Sequence, residues 1–242
     1  VHTQSMNHII KQQHISQRMR RRLRNEGIIT VNNEPATWNT LVHGGDHLVM
    51  KLTPEQEFSL SPMDLDIVYE DEHILVINKA AGVLMHPTST VRDHTLANGV
   101  LYYYQETHQH YDFHPVHRLD KDTSGVMMAA KNDAAHIGLA EQVKEHSAKR
   151  TYWALVQGNI VEEKGTIKAP IGRHPKDRMK MAVVFENSKD AVTHFRVLER
   201  YGHQTLVECN LETGRTHQIR VHFAHIGHPV VNDPFYGYRR MD

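Results

Sequence analysis

Apolar residues in this chain come only in short runs, of which Ile74-Leu75-Val76-Ile77 is representative. A membrane-spanning helix needs ~20 apolar residues in succession, so no span is expected. Hydrophobic residues still make up 39% of the 242. That suffices for a real core, either in one large domain or in a medium domain with a small companion. Short apolar runs between turn formers read as strands, and apolar residues three and four apart read as helices. The start, Val1-His2-Thr3-Gln4, has no apolar core and no small-residue cleavage pattern, and does not read as a signal peptide.

Charge is balanced: 28 basic and 28 acidic residues give a net charge of zero and a pI near 7.5. Contact with a polyanion must therefore rest on a local patch. The one cysteine, Cys209, excludes a disulfide framework and a cysteine-rich zinc site. A reducing, cytoplasmic setting is expected. The 21 histidines raise the question of a metal. His108, His110 and His114 fall together, as do His217, His222 and His225, but none makes the His-Glu-x-x-His pattern of a zinc hydrolase. No metal site is expected.

The local basic patch is near the start. Residues 1–25 hold Lys11, Arg18, Arg20, Arg21, Arg22 and Arg24 and no acidic residue. Ser16 can cap a helix running through Leu23 and stopping near Gly27. Residues 28–31 then read as a strand, Asn32-Asn33-Glu34-Pro35 as a turn, and 47–50 as a closing strand after Gly44-Gly45-Asp46. Such a helix can be a solvated face, but five arginines in seven positions without glutamate partners favour a phosphate-binding surface. The order of elements resembles the small RNA-binding domain first known from a ribosomal small-subunit protein. The matching stretch runs from Ile15-Ser16-Gln17-Arg18 through Val31-Asn32-Asn33 to Gly45-Asp46-His47-Leu48. That family usually has Gly where this chain has Asn33, and Asn also tolerates left-handed backbone. Residues 1–52 are expected to form this domain and residues 53–64, rich in Pro, Ser and Glu, a linker.

From residue 65 the texture is mixed. Residues 66–69 and 74–78 read as a hairpin around Glu70-Asp71-Glu72. Residues 133–147 carry Ala135, Leu139 and Val143 at helical spacing, with Asn132 or Asp133 as cap. Residues 126–130, 152–156, 192–198 and 205–211 read as strands. Residues 216–226 form a helical pattern with Ile219, Phe223 and Ile226 on one face, Gly227 as stop and Pro229 beyond.

Three segments carry reactive side chains. His117-Arg118-Leu119-Asp120-Lys121-Asp122-Thr123-Ser124-Gly125 places an Asp in a tight loop before a strand, either a plain turn or a displayed catalytic group. Lys149-Arg150-Thr151-Tyr152 opens a strand, where a tyrosine is often core. Gly214-Arg215-Thr216-His217-Gln218-Ile219-Arg220 leads into the last helix, and Arg220 beside Ile219 needs an anion nearby.

Together these segments resemble the RluA family of RNA pseudouridine synthases. Further matches are Ile74-Leu75-Val76-Ile77-Asn78-Lys79-Ala80-Ala81-Gly82 with His86-Pro87, Val221-His222 after Arg220, Gly227-His228-Pro229-Val230, Asp233-Pro234 and Tyr236-Gly237. The resemblance covers residues 66–237. It implies an isomerase without a cofactor, with Asp120 as catalytic carboxylate, Tyr152 stacking on the base or relaying a proton, and Arg220 holding Asp120 ionised through a fork onto its oxygens. Arg118 would fill the gap left by a flipped base or hold its phosphate, and Arg215 would face RNA, as would Arg18, Arg20, Arg21, Arg22 and Arg24. The substrate would be ribosomal RNA, with transfer RNA second, and the protein a monomer. The implied fold is α+β: a small N-terminal α/β domain, then a catalytic domain over 65–242 on a mainly antiparallel mixed sheet with flanking helices. The family usually continues for several tens of residues past Tyr-Gly, so this domain's C-terminal part is expected to be short. A glycoside hydrolase would need two carboxylates flanking one bond, and only Asp122 lies near Asp120. The other alternative is a non-catalytic RNA-binding protein derived from this family.

Overall fold

The computed structural model describes residues 3–13, 15, 17–51 and 59–237. Ser16, the expected helix cap, lies outside them, as does the first half of the expected linker, residues 53–58. Two compact units are present, Val1–Glu57 and Phe58–Asp242.

In the first unit, helix α1 (Met6–Gln12) starts where the Ser5 side chain accepts from the His8 N–H. Helix α2 (Gln17–Glu26) is the arginine helix. Strand Ile28–Val31 lies between Glu34–Pro35 and Leu48–Lys51, antiparallel to both. Asn32 and Asn33 take φ of 50° and 68°, the left-handed turn that joins the first pair. Met6, Ile10, Ile29 and Val42 form the core.

The second unit has two four-stranded antiparallel sheets. One has the order Asp66–Glu70, Ile74–Lys79, Gly125–Ala130, His114–Pro115. Helix α3 (Leu96–Glu106) packs Leu96, Val100 and Tyr104 against Leu75, Ile77, Met127 and Ala129 of this sheet. The other has the order Thr151–Gln157, Gln204–Leu211, Val192–Arg200, Lys164–Lys168. Helix α5 (Gln218–His225) drives Phe223 into its core beside Val156, Phe195, Val207 and Cys209. Helix α4 (Asp133–Lys144) is capped by Asn132, which accepts from the Ala135 N–H. A small sheet of Met181–Val183, Ile171–Arg173 and Ser188–Lys189 completes the unit. The α+β class is as expected, and every strand pairing among the described residues is antiparallel. No helix among them is long and apolar enough to cross a membrane.

Three details depart from the sequence reading. Residues 59–61 are not free linker: the Asn98 amide donates to Ser59 O at 2.7 Å, and the Ser61 hydroxyl accepts from the His94 N–H at 3.0 Å. They complete the N-terminal cap of α3, an arrangement that Ser-Pro composition conceals. Helix α5 starts at Gln218, because His217 is left-handed at φ 56°. Ile226, expected on its buried face, is 37% exposed just beyond the helix end.

Candidate active site

The Asp120 loop is fixed from below. Leu119 is buried in the first sheet's core, while Arg118 is exposed and Asp120 partly so. Gly125 takes φ +129° and turns the chain into the strand Gly125–Ala130, a backbone state that a side chain would strain. Beneath the loop Lys79 is almost wholly buried, and its Nζ donates to the carbonyls of Ala80, Val83 and Lys121 at 2.9–3.0 Å. Burial pulls the Lys79 pKa below its ordinary value, and the charges of Asp122 and Asp120 oppose that pull. The Gly82 N–H also donates to Lys121 O, at 2.8 Å. Sequence reasoning gave Lys79 no role, although a lysine closing an apolar strand run was the available signal.

The three sequence segments meet in one cleft of about 710 Å³, whose walls include Arg118, Asp120, Tyr152, Arg215, Arg220 and Asp233. Tyr152 packs against the cores of both four-stranded sheets and so stands at their junction. Burial raises its pKa, the Arg150 charge opposes and Asp120 adds to the rise, so the phenol stays protonated at neutral pH.

Arg220 lies 3.4 Å from Asp120, Nη1 to Oδ2, each side chain being one-fifth exposed. The expected fork onto Asp120 is corrected by this geometry: the fork goes to Asp233. Nε and Nη2 donate to Asp233 Oδ2 and Oδ1 at 2.7 and 2.9 Å, and the Asp233 side chain is only 2% exposed. The backbone N–H groups of Phe235 and Tyr236 also donate to Asp233 Oδ1. A bidentate pair needs both carboxylate oxygens in the guanidinium plane, and the buried acid takes that place. Asp120 receives the outer nitrogen only. Burial works against the Arg220 charge, but Asp233 and then Asp120 outweigh it and hold its pKa above the ordinary value. The guanidinium also lies 5.3 and 5.1 Å from the ring centres of Phe235 and Tyr236.

His217 and His222 are held by hydrogen bonds within the fold. His222 Nε2 donates to Ala169 O, and its Nδ1 faces the Thr193 hydroxyl, both at 2.8 Å, a neutral ring whose pKa burial lowers. His217 Nδ1 meets the Tyr236 hydroxyl at 2.7 Å, and burial lowers its pKa against the pull of Asp120. Among the described residues no three metal-ligating side chains converge.

The expected RNA-facing arginines divide. Arg118 is exposed at the cleft. Arg215 lines it too, with Nε tied to Asp190 O at 2.8 Å and not to Asp120. In α2, Arg21 is exposed and Arg20 and Arg22 are half-buried. Arg24 is exposed but lies 4.9 Å over the Trp38 ring, so it packs as well as charges the surface. The Arg18 side chain lies outside the described residues.

Comparison with known proteins gives concordant matches. Residues 73–225 match the sequence model of a family described as RNA pseudouridylate synthase. The chain is 47% identical over 216 residues to ribosomal large subunit pseudouridine synthase D of Pseudomonas aeruginosa, covering 88% of this chain and 67% of that one. It is 45% identical over 220 residues to the RNA pseudouridine synthase YlyB of Bacillus subtilis, covering 89% and 72%. It spans 57% of the corresponding Neisseria meningitidis synthase D. Among solved structures, human RNA pseudouridylate synthase domain containing 1 aligns with a TM-score of 0.61 and 34% identity, over 72% of this chain and 70% of that one.

Proposed function

As the chain belongs to the RNA pseudouridylate synthase family, we propose that it isomerises uridine to pseudouridine in large-subunit ribosomal RNA, with Asp120 as the catalytic carboxylate. One observation carries the reading: a single cleft gathers Asp120, Tyr152 and Arg220 from segments far apart in sequence. The names of the relatives point to ribosomal RNA ahead of transfer RNA.

In this reading a uridine is flipped into the cleft, because its glycosidic bond cannot be reached inside a stacked helix. Asp120 acts on the sugar as nucleophile or base while the C1′–N1 bond breaks. The uracil turns, C1′ bonds to C5, the C5 proton leaves to solvent and N1 gains one. Atoms and electrons balance with no cofactor. The protonated Tyr152 offers a face for the base and a hydroxyl for proton transfer. Arg220, clamped by Asp233, holds positive charge beside Asp120 without enclosing both of its oxygens, which leaves one oxygen for the substrate. Arg118 stands at the cleft to occupy the space of the flipped base or bind its phosphate, and Arg215 to contact RNA. Residues 1–52 add affinity through α2, where Arg21 is exposed.

The test uses an unmodified large-subunit ribosomal RNA transcript carrying tritium at uridine C5. The wild-type chain should release tritium, whereas a non-catalytic RNA-binding protein would bind and release none. Pseudouridine mapping in cells with and without the gene then identifies the uridine. Unchanged ribosomal sites together with a lost transfer-RNA site would move the substrate to transfer RNA.

A further inference from the structure

A second groove, of about 370 Å³, is lined by His146, Lys149, Arg150, His194, Asn210 and Glu212 among others. Arg150 and Leu211 line both this groove and the catalytic cleft, so the two adjoin. We propose that Arg150 is a phosphate-binding residue at that junction, and that the groove beyond it carries the RNA strand as it leaves the catalytic cleft. This rests on the synthase reading for the identity of the RNA.

The charges favour it. Among the described residues the cleft's ion pairs join Arg220 to Asp120 and Asp233, and no carboxylate lies within ion-pair distance of Arg150. The groove's one acid, Glu212, is engaged by His194 at 2.8 Å. That hydrogen bond, with added pull from the His194, His146 and Lys168 charges, holds the Glu212 carboxyl below its usual range. A cation left without an acid beside a substrate cleft is available to an anion from outside. Arg150 also reaches the cleft floor electrically, because its charge joins burial in lowering the His117 pKa and opposes burial at Tyr152.

A Cβ on Gly214 would stand 2.1 Å from Arg150 Nη1 and 3.2 Å from Cζ. The guanidinium therefore lies directly on the Gly214 backbone, at the foot of the loop that leads to Arg215 and His217. Its planar fork suits phosphate oxygens, and Lys149 adds a second cation on the groove side. Asn210 uses its Oδ1 to accept from the Thr151 hydroxyl at 2.8 Å, which leaves its amide N–H groups as donors for a backbone or base. A flipped nucleotide must keep its phosphodiester at the cleft mouth, and an adjoining basic groove gives the next phosphate a place to sit.

Arg150→Ala, Arg150→Gln and Gly214→Ala test this on the full chain, by tritium release from the ribosomal RNA transcript and by anisotropy of a fluorescent oligouridylate, both across a salt series. Losing one charge-assisted phosphate contact should raise KM ~10-fold or more, with a much smaller change in kcat through the Arg150 charge at Tyr152. The log–log salt slope should fall by ~0.7. Gly214→Ala keeps the charge but displaces the fork, so it should raise KM with a smaller change in slope. Wild-type slopes in both Arg150 variants would overturn the proposal. So would a fall in kcat at constant KM, which would place Arg150 in the chemistry. A wild-type chain that releases no tritium would sink the synthase reading instead, while the oligouridylate slope would still decide Arg150.

Discussion

Asp233 is the most heavily bonded acid in the cleft, and its removal should be felt first in stability. Its side chain is 2% exposed and accepts two hydrogen bonds from Arg220 and two from backbone N–H groups. In Asp233→Ala the guanidinium keeps only Asp120, at 3.4 Å. Removing one member of a buried ion pair costs about 3–5 kcal/mol. Arg220 is one-fifth exposed and retains that second acid, so the lower end of the range, ~3 kcal/mol, is expected. A domain of this size loses ~2–4 °C per kcal/mol, which puts the drop in Tm at ~6–12 °C by scanning fluorimetry at pH 7. The dependence on pH has a definite sign. Burial pushes the Asp233 pKa up, but the hydrogen bonds and charge of Arg220 and the backbone donors bring it below the ordinary value. Its contribution is therefore complete above the unfolded value of ~3.9 and is lost as pH falls through the lower folded value. The gap between wild type and variant should narrow on acidification below about pH 4. A drop under ~2 °C at pH 7, or a gap that stays constant with acid, would refute the clamp.

Tyr152→Phe keeps the ring at the junction of the two cores, so its Tm and RNA affinity should match wild type while turnover falls ~10²-fold or more; equal turnover would remove the hydroxyl from the chemistry. Arg220→Lys should lose most activity and also Tm, since one ammonium cannot span both Asp233 oxygens and Asp120; wild-type values for both would show that charge alone suffices. Neutralising Arg20, Arg21, Arg22 and Arg24 should lower the salt slope of RNA binding by ~0.7–0.9 per lost contact and leave the step after binding unchanged. Within that set Arg24→Ala should also lower Tm because of Trp38, and an unchanged slope would make α2 a solvated face.

Local signals were readable where chain neighbours decide the structure. The hairpin of strands Asp66–Glu70 and Ile74–Lys79, the Asn132 cap and the left-handed Asn32 and Asn33 all follow from short-range rules. Helix α3 was missed, because its cap depends on Ser59 and Ser61 from another segment and its apolar residues lie on several sides. The seven-residue α1 was missed because it is too short to show a period. At the site, chemistry said only that an inward Arg220 needs an acid, and the family resemblance named Asp120 as that acid. Which acid takes the fork could not be anticipated. Asp233 and Asp120 lie 13 and 100 residues from Arg220, and only the folded geometry ranks them. Arg150, although in a segment the sequence singled out, was given no role for a similar reason, because its place between the two grooves is a property of space and not of sequence.

The central claim is that the Asp120 carboxylate performs the isomerisation. Amide for carboxylate in Asp120→Asn preserves shape and removes the charge opposite Arg220 Nη1. The direct measurement is single-turnover tritium release from C5-labelled large-subunit ribosomal RNA, with binding of the same RNA measured in parallel. The variant should bind RNA as wild type does and release no tritium above the enzyme-free control. Release at the wild-type rate by Asp120→Asn would contradict the account.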